Sequence, residues 1–194
     1  WLTDESRCVM EGKAFLVRFT TDWTCGLLWN KLYKRALFDG IFFEEGHKID
    51  DEYFTYQGVM NAAKVVCDPR VVYNYRQRAS SVMQSPAARA QIAVDRIDFM
   101  AKRREKVLKR FPELRREFDI SFVDALSYLA KYPDNTEQSI RLLKYYARRY
   151  FLQRGNTFPP RYLLKAVFLM YVTGTEKLLK RPQAKKPSPE DYYA

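Results

Sequence analysis

The chain has 194 residues, a formal net charge of +11 and 47% hydrophobic residues. This apolar content excludes a disordered chain, and no run of residues is apolar enough to predict a membrane-spanning helix. The basic excess falls unevenly: residues 1–80 carry 11 basic and 11 acidic side chains, whereas residues 81–194 carry 23 and 12. Because net charge governs association rather than fold, the second part is expected to meet phosphates or anionic lipid head groups.

Three helices are predicted in the first part of the chain. Apolar residues recur at helical spacing over residues 4–18 and again over 27–38, and Gly40 stands where the second helix would end. Residues 50–63 form the clearest helical pattern. This helix opens with the acidic triplet Asp50-Asp51-Glu52, at the end where the helix dipole favours negative charge.

Two strands follow, and the pattern then becomes wholly helical. Residues 64–67 and 71–75 are rich in Val and Tyr and are separated by the turn pair Asp68-Pro69, which predicts a β-hairpin. From residue 85 onward, four amphipathic segments predict a small helical bundle. The breaks between them fall at Pro112, at 132–135 and at 156–160, and the fourth segment covers 163–179. Residues 181–194 are rich in Pro and Lys, which predicts a disordered tail.

The acidic triplet has three interpretations. Acids at a helix start commonly cap the helix and complement its dipole. Crowded carboxylates also raise one another's pKa, which suits a general base. An Asp-x-Glu pair can contribute oxygen ligands to a metal site.

A basic segment follows the predicted hairpin. Arg76 and Arg78, with Ser80 and Ser81 behind them, offer guanidinium and hydroxyl donors that suit phosphate oxygens. The alternative is a pair of solvated arginines at the end of a strand.

Cysteine and histidine usage points away from nucleophilic catalysis. The chain has Cys8, Cys25 and Cys67, an odd number with no C-x-x-C pair, which predicts buried thiols in a reducing compartment. His47 is the single histidine and is expected at the surface, with no Ser or Cys nucleophile beside it.

Residues 141–154 interleave basic and aromatic side chains, a pattern found in nucleic-acid-binding helices. The chain has no helix-turn-helix, zinc-finger or ribonucleoprotein signature, which favours a bundle helix with a solvated or membrane-facing basic side. A non-enzymatic basic helical module that binds nucleic acid, a membrane surface or a partner protein is therefore the alternative to an enzyme.

Four segments together resemble bacterial family 2 glycosyltransferases of the GT-A fold, which build capsule, teichoic acid and other surface polysaccharides. They are WNKLYKRALF over 29–38, IFFEEG over 41–46, DDEYF over 50–54 and YNYRQRASSVM over 73–83. The resemblance covers residues 23–85 and depends on the order and spacing of the segments.

The resemblance implies an inverting sugar transfer with Asp51 as the catalytic base. In this family the second acid of a Glu-Asp pair has that role, and Asp50 stands where the family has Glu. Trp29 and Lys31 match a segment that borders the acceptor site. The residues matching the part beside the acceptor and the donor diphosphate are Arg76, Arg78, Ser80 and Ser81.

The family also needs Mg²⁺ or Mn²⁺ for the leaving diphosphate, normally held by an Asp-x-Asp motif in a nucleotide-binding half. No such motif precedes Trp29. The chain is therefore expected to be a fragment that holds no cofactor and is inactive alone. The full-length enzyme is expected to bind a divalent cation, a nucleotide sugar and a glycan or lipid-linked acceptor.

The expected fold class is α+β and mainly α. Residues 1–85 would form a partial GT-A acceptor half, made of helices and a short β-hairpin, and residues 86–180 a basic helical bundle ahead of the tail. The basic bundle is expected to seat a cytoplasmic enzyme on the inner face of an anionic membrane. An uncovered apolar face on the first part would permit a homodimer, and nucleic acid is not an expected partner.

Overall fold

The computed structural model describes residues 7–71, 73–76, 85–130, 136–151 and 160–171. Within these ranges the chain is mainly helical and has one two-stranded antiparallel sheet. The elements are β1 (Cys8–Glu11), α1 (Gly12–Arg18), α2 (Asp50–Asn61), β2 (Lys64–Cys67), α3 (Pro86–Arg110), α4 (Arg115–Leu129), α5 (Glu137–Phe151) and α6 (Pro160–Tyr171). Short 3-10 turns occur at Trp23–Gly26, Arg35–Phe38 and Pro112–Leu114.

The sheet is not the predicted hairpin. Strand β2 is where the sequence predicted it, but it pairs with β1, in a register that places Val9 opposite Val66. The described residues of the segment 71–76 are not in a strand. The predicted helix over 4–18 is correspondingly shorter, since its described part begins as β1. Side-chain burial along β1 alternates with period two, which is the pattern of a strand.

Gly12 fixes the point where β1 turns into α1. Its N–H donates to the carbonyl of Ala63 at 3.2 Å, which brings this junction against the end of α2. A Cβ on Gly12 would lie 2.0 Å from the carbonyl oxygen of Ala62, so only glycine fits this close approach.

The predicted helix over 27–38 is wrong. Residues 27–34 form an irregular loop, and helical structure in this part is limited to the flanking 3-10 turns. One of the leucines that suggested an apolar face, Leu32, is fully exposed at 103%. The apolar spacing therefore did not reflect a buried helical face.

Helix α2 confirms the predicted helix over 50–63 and ends at Asn61. It buries Tyr53, Tyr56 and Val59 in the core. Gly58 on the same helix lies directly against Phe38, because a Cβ there would come 2.3 Å from the ring. The 3-10 turn Arg35–Phe38 thus packs closely on α2.

Four further helices, α3 to α6, confirm that the second part of the chain is helical, and the predicted break at Pro112 falls between α3 and α4. The predicted breaks at 132–135 and 156–159 lie outside the described residues. Ser85 caps α3 by accepting a hydrogen bond from Ala88 N–H at 3.1 Å, and Pro86 occupies the first turn. Helix α6 begins at Pro160, earlier than predicted, and the predicted residues 172–179 and the tail 181–194 lie outside the described residues.

Helix α3 contributes to two apolar clusters. Its Ile92, Phe99 and Val107 pack with the apolar residues of α1 and α2, whereas Ile97 and Ala101 pack with those of α4, α5 and α6. The division at residue 85 stays a prediction, and the core of the first part includes α3. Within the described ranges, none of the helices combines the length and apolar character that a membrane span requires.

Candidate functional site

Two of the motif segments meet through an aromatic stack. The indole of Trp29 lies 4.4 Å from the ring of Tyr73 and 5.1 Å from the ring of Tyr75, measured between ring centroids. The Tyr75 ring is nearly parallel to the indole, at an interplanar angle of 4°. The 27–34 loop and the segment 73–76 therefore form one surface.

Asp51 lies in the first turn of α2, beside the 27–34 loop. Burial is the main cause that raises the pKa of its carboxyl group, and the charge of Asp50 raises it further. Backbone hydrogen bonds from Glu52 and Leu28 act in the opposite direction. Because Leu28 belongs to the 27–34 loop, this interaction places the Asp51 carboxylate next to that loop.

The Asp51 carboxylate has no ion pair within the part of the chain that the structure describes. Its Oδ1 accepts from the N–H of Glu52 at 3.0 Å. It does not cap α2, because the N-cap position is Ile49, which makes no side-chain capping bond. Asp50 is more exposed, and its Oδ1 accepts from the N–H of Asp51 at 3.1 Å. The two acids therefore differ in exposure and in the backbone groups that they contact.

Lys31 holds the shape of the 27–34 loop. Its Nζ donates to the carbonyl oxygens of Thr24 at 3.1 Å and Leu27 at 2.6 Å, and to Oδ1 of Asn30 at 2.6 Å. Burial lowers the pKa of this ammonium group to about 8, and the charge of Asp51 is among the effects that oppose the shift. Lys31 therefore supports the loop and is electrostatically coupled to Asp51.

The predicted phosphate-binding residues are described only in part. Arg76 is exposed and follows Tyr75 at the edge of the aromatic stack. Arg78, Ser80 and Ser81 lie outside the described residues. The structure thus brings Trp29, Lys31 and Asp51 together, and the role of the arginines and serines stays a prediction.

The acidic triplet does not fit a metal site. Successive residues on a helix are turned by about 100° from one another, so the three carboxylates do not converge. Among the described residues there is no group of three or more His, Cys, Asp or Glu side chains that could hold a metal ion. We therefore derive no catalytic step that involves a metal on this chain.

Sequence reasoning overlooked the surroundings of His47. The predicted surface histidine is instead mostly buried, with 20% of its side chain exposed. Its Nδ1 lies 3.2 Å from Oδ1 of the buried Asp95, and its ring stacks on Tyr53 with centroids 4.2 Å apart. Both neighbours come from other elements, α3 and α2, so no local signal in the sequence could have shown this contact.

The three cysteines are free thiols, as predicted. Cys8, Cys25 and Cys67 are all free, and the last two are buried. Burial raises the pKa of the Cys25 thiol to about 11, which keeps it protonated and unreactive at neutral pH.

Comparison with family models, with curated proteins and with solved structures gave no match to this chain. The glycosyltransferase resemblance therefore depends on the motifs and on the way their residues are arranged.

Proposed function

We propose that this chain supplies the acceptor side of an inverting family 2 glycosyltransferase. The observation that supports the proposal is the position of the Asp51 carboxylate, half-buried and with a raised pKa, against the loop that carries Trp29 and Lys31. These residues come from two separate motif segments, and Tyr75 from a third contacts Trp29. A helix cap alone would not require this convergence.

The chemistry assigned to Asp51 is proton abstraction. Its carboxylate takes the proton of an acceptor hydroxyl while that oxygen forms a bond to the anomeric carbon of a nucleotide sugar. The bond from this carbon to the nucleoside diphosphate breaks on the opposite side, and the diphosphate leaves with the electron pair. A carboxylate with a raised pKa is the stronger base for this step.

The aromatic stack and Arg76 would bind substrate. The exposed rings of Tyr73 and Tyr75 beside Trp29 offer an apolar surface of the kind that packs on the C–H face of a sugar ring. Arg76 would pair with the leaving diphosphate, since guanidinium matches phosphate oxygens bidentately. The nucleotide and its divalent cation would be held by a donor-binding half, for which this sequence has no motif.

The test uses the proposed parent enzyme, in which this chain would be joined to a donor-binding half, and compares it with its Asp51→Asn variant. Turnover of nucleotide sugar with Mg²⁺ or Mn²⁺ should fall by at least a hundredfold in the variant, within the range of general-base contributions, while donor affinity stays within about twofold. Asp39→Asn is the matched control, because it removes an exposed acid outside the four motif segments and should keep most of the activity.

Two results would contradict the proposal. Equal loss of donor binding and turnover in Asp51→Asn would show that the acid is structural. Sugar transfer by the 194-residue chain itself would show that no further donor-binding half is needed.

A membrane-surface role for the helical part is the second candidate, and the observation that favours it is the exposed basic side of α5. Arg141 and Arg148 are exposed on this helix, with Lys144 between them on the same side. By contrast, Arg103 and Arg104 of α3 are buried and cannot reach a surface. Each basic residue near an anionic membrane contributes about 1 kcal/mol.

Liposome co-sedimentation tests this role. Binding to vesicles with anionic lipid should exceed binding to zwitterionic vesicles, should fall with added salt, and should fall in Arg141→Gln/Arg148→Gln. Equal binding to both kinds of vesicle would remove the proposal. Salt-sensitive binding to RNA or DNA without vesicle binding would favour the nucleic-acid module instead.

A further inference from the structure

A small open cavity lies between the first turn of α2, the middle of α3 and the turn that precedes the 27–34 loop. It has a volume of about 190 Å³. The side chains that determine its chemistry are Trp23, Glu52, Phe99 and Arg103. Neither the motifs nor the proposed base accounts for this cavity.

Arg103 is a buried cation without a carboxylate partner. The residue is 5% exposed, and no acidic side chain lies within ion-pair distance of it among the described residues. Its guanidinium lies between three phenylalanine rings, with its carbon 4.8 Å from the ring centroid of Phe99. Its Nε has no hydrogen-bond partner in the described part of the chain. Buried charges are normally paired, so this guanidinium has unused donor capacity.

The adjacent Arg104 shows the usual arrangement. It is 4% exposed and donates through Nε to Oδ1 of the buried Asp119 at 2.6 Å. Both arginines lie on α3 and are buried to nearly the same degree. They differ in that Arg104 faces a carboxylate of α4, whereas Arg103 faces the cavity.

Glu52 supplies the opposite charge on the cavity wall. Burial raises the pKa of its carboxyl group, and the positive charges of Arg96 and Arg103 oppose this shift. Glu52 and Arg103 therefore influence one another across the cavity without forming an ion pair. The space between them suits a group that accepts a hydrogen bond from Arg103 and donates one to Glu52.

A hydroxyl group can do both. A free anion would be repelled by Glu52 and by Asp22, which also lines the cavity, and a cation would be repelled by Arg103. A neutral ligand with several hydroxyls avoids both penalties. Trp23 adds an aromatic surface that is 70% exposed, against which the C–H face of a sugar ring can pack. The volume of about 190 Å³ corresponds to about six water molecules at about 30 Å³ each, which limits the ligand to a small molecule.

We propose that this cavity binds one neutral pyranose residue, with hydroxyls between Arg103 and Glu52 and with Trp23 against the ring. Glu52 follows Asp51 in the first turn of α2, so the bound residue would be a second unit of the acceptor glycan. That assignment rests on the proposed function, and binding of the sugar does not.

The experiment uses the 194-residue chain and neutral methyl glycosides of common hexoses, with binding followed by NMR chemical shifts. A single sugar ring is a small ligand, so dissociation constants in the millimolar range are expected. Glu52→Gln and Arg103→Met should each weaken binding about tenfold, and Trp23→Ala about fivefold.

Tyr128→Ala, on an exposed aromatic of α4, is the matched control and should leave binding unchanged. Trp23→Ala keeps the proposal falsifiable even where a buried variant fails to fold, because this side chain is largely exposed. Glycosides that fail to bind, or that bind Trp23→Ala and Glu52→Gln as tightly as the unmodified chain, would overturn the proposal. So would binding of inorganic phosphate in place of the glycosides, which would make Arg103 an anion site.

Sugar binding in the cavity and catalysis by Asp51 can be tested independently of one another. Asp51→Asn in the 194-residue chain should still bind the glycoside, since Asp51 does not line the cavity. Glycoside binding together with full turnover in the Asp51→Asn parent would reject the catalytic base and keep the cavity. Loss of turnover in the Asp51→Asn parent, together with no glycoside binding, would support the catalytic base and reject the sugar-binding cavity.

Discussion

Trp29 and Tyr75 lie 46 positions apart in the sequence, and their rings stack with centroids 5.1 Å apart. This contact joins two segments whose common role could be inferred from the sequence only by resemblance. The same loop lies next to Asp51, whose carboxylate interacts with the backbone of Leu28, and Lys31 ties the loop internally. The proposed acceptor surface therefore depends on a contact that can be removed experimentally.

A double-mutant cycle on Trp29→Ala and Tyr75→Ala should give a coupling energy of about 0.5–1.5 kcal/mol, the usual contribution of an aromatic pair. The measurement is the free energy of unfolding from denaturant titrations. Trp29→Ala combined with Tyr128→Ala should be additive, since Tyr128 lies on α4. Additivity of the Trp29 and Tyr75 substitutions would show that the stack does not form in solution.

Replacing the two neighbouring buried arginines should have opposite consequences. Arg104→Met leaves the Asp119 carboxylate, which is 2% exposed, without its cation and should destabilise the protein by about 3–5 kcal/mol. Arg103→Met removes a buried charge that has no carboxylate partner and should be neutral or stabilising. Thermal and denaturant unfolding of both variants measures this contrast. Equal destabilisation would mean that Arg103 has an ionic partner of its own.

The stability effect of Asp51→Asn should depend on pH. A carboxyl group with a raised pKa in the folded state favours folding when it is protonated, and this contribution is lost as the pH rises from its ordinary pKa of 3.8 through the folded value. The variant should therefore equal the unmodified chain near pH 3 and be more stable at pH 7. Denaturant titrations across this range test it. A variant less stable at pH 7 would indicate that the carboxylate is stabilised by its surroundings.

The contribution of Lys31 to folding stability should change at alkaline pH and in the opposite direction to that of Asp51. Its ammonium has a pKa of about 8 in the folded protein, against an ordinary value of 10.5. Between these values the unfolded chain binds more protons, so stability should rise with pH relative to a Lys31→Met variant. Stability difference curves from pH 7 to 10.5 measure this slope, and a flat difference would show that the ammonium group is not buried.

Gly58 should be replaceable only when Phe38 is made smaller. A Cβ at position 58 would come 2.3 Å from the Phe38 ring, and overpacking of this kind costs about 1–3 kcal/mol. In a Phe38→Leu background the sign should reverse, because alanine favours a helix interior over glycine by about 1 kcal/mol. The unfolding free energies of the single and double variants show whether the Phe38 ring causes the cost of Gly58→Ala. Destabilisation by Gly58→Ala in both backgrounds would contradict this explanation.

Local chemistry explains which parts of the fold were predicted. Helix α2 and the bundle helices α3 to α6 have apolar residues at helical spacing, and their ends carry recognisable signals such as Ser85 and Pro112. The partner of β2 could not be predicted in the same way, because its choice of β1 depends on a contact between residues more than 50 positions apart. The 27–34 loop was predicted as a helix, since its leucines have helical spacing, and the bonds of Lys31 to main-chain carbonyls were not foreseen.

In the candidate site too, some features follow from the local sequence and others depend on contacts between distant residues. The acidic start of α2, the free thiols, the helical second part and the residues that resemble an acceptor site could all be predicted from the sequence. The three-dimensional arrangement was needed to show that Asp51 lies against the loop of Trp29, that Arg104 has a carboxylate partner and that Arg103 faces a cavity with Glu52. The physical reason is that burial and charge pairing depend on residues from other elements, whereas helix formation depends mainly on neighbours along the chain.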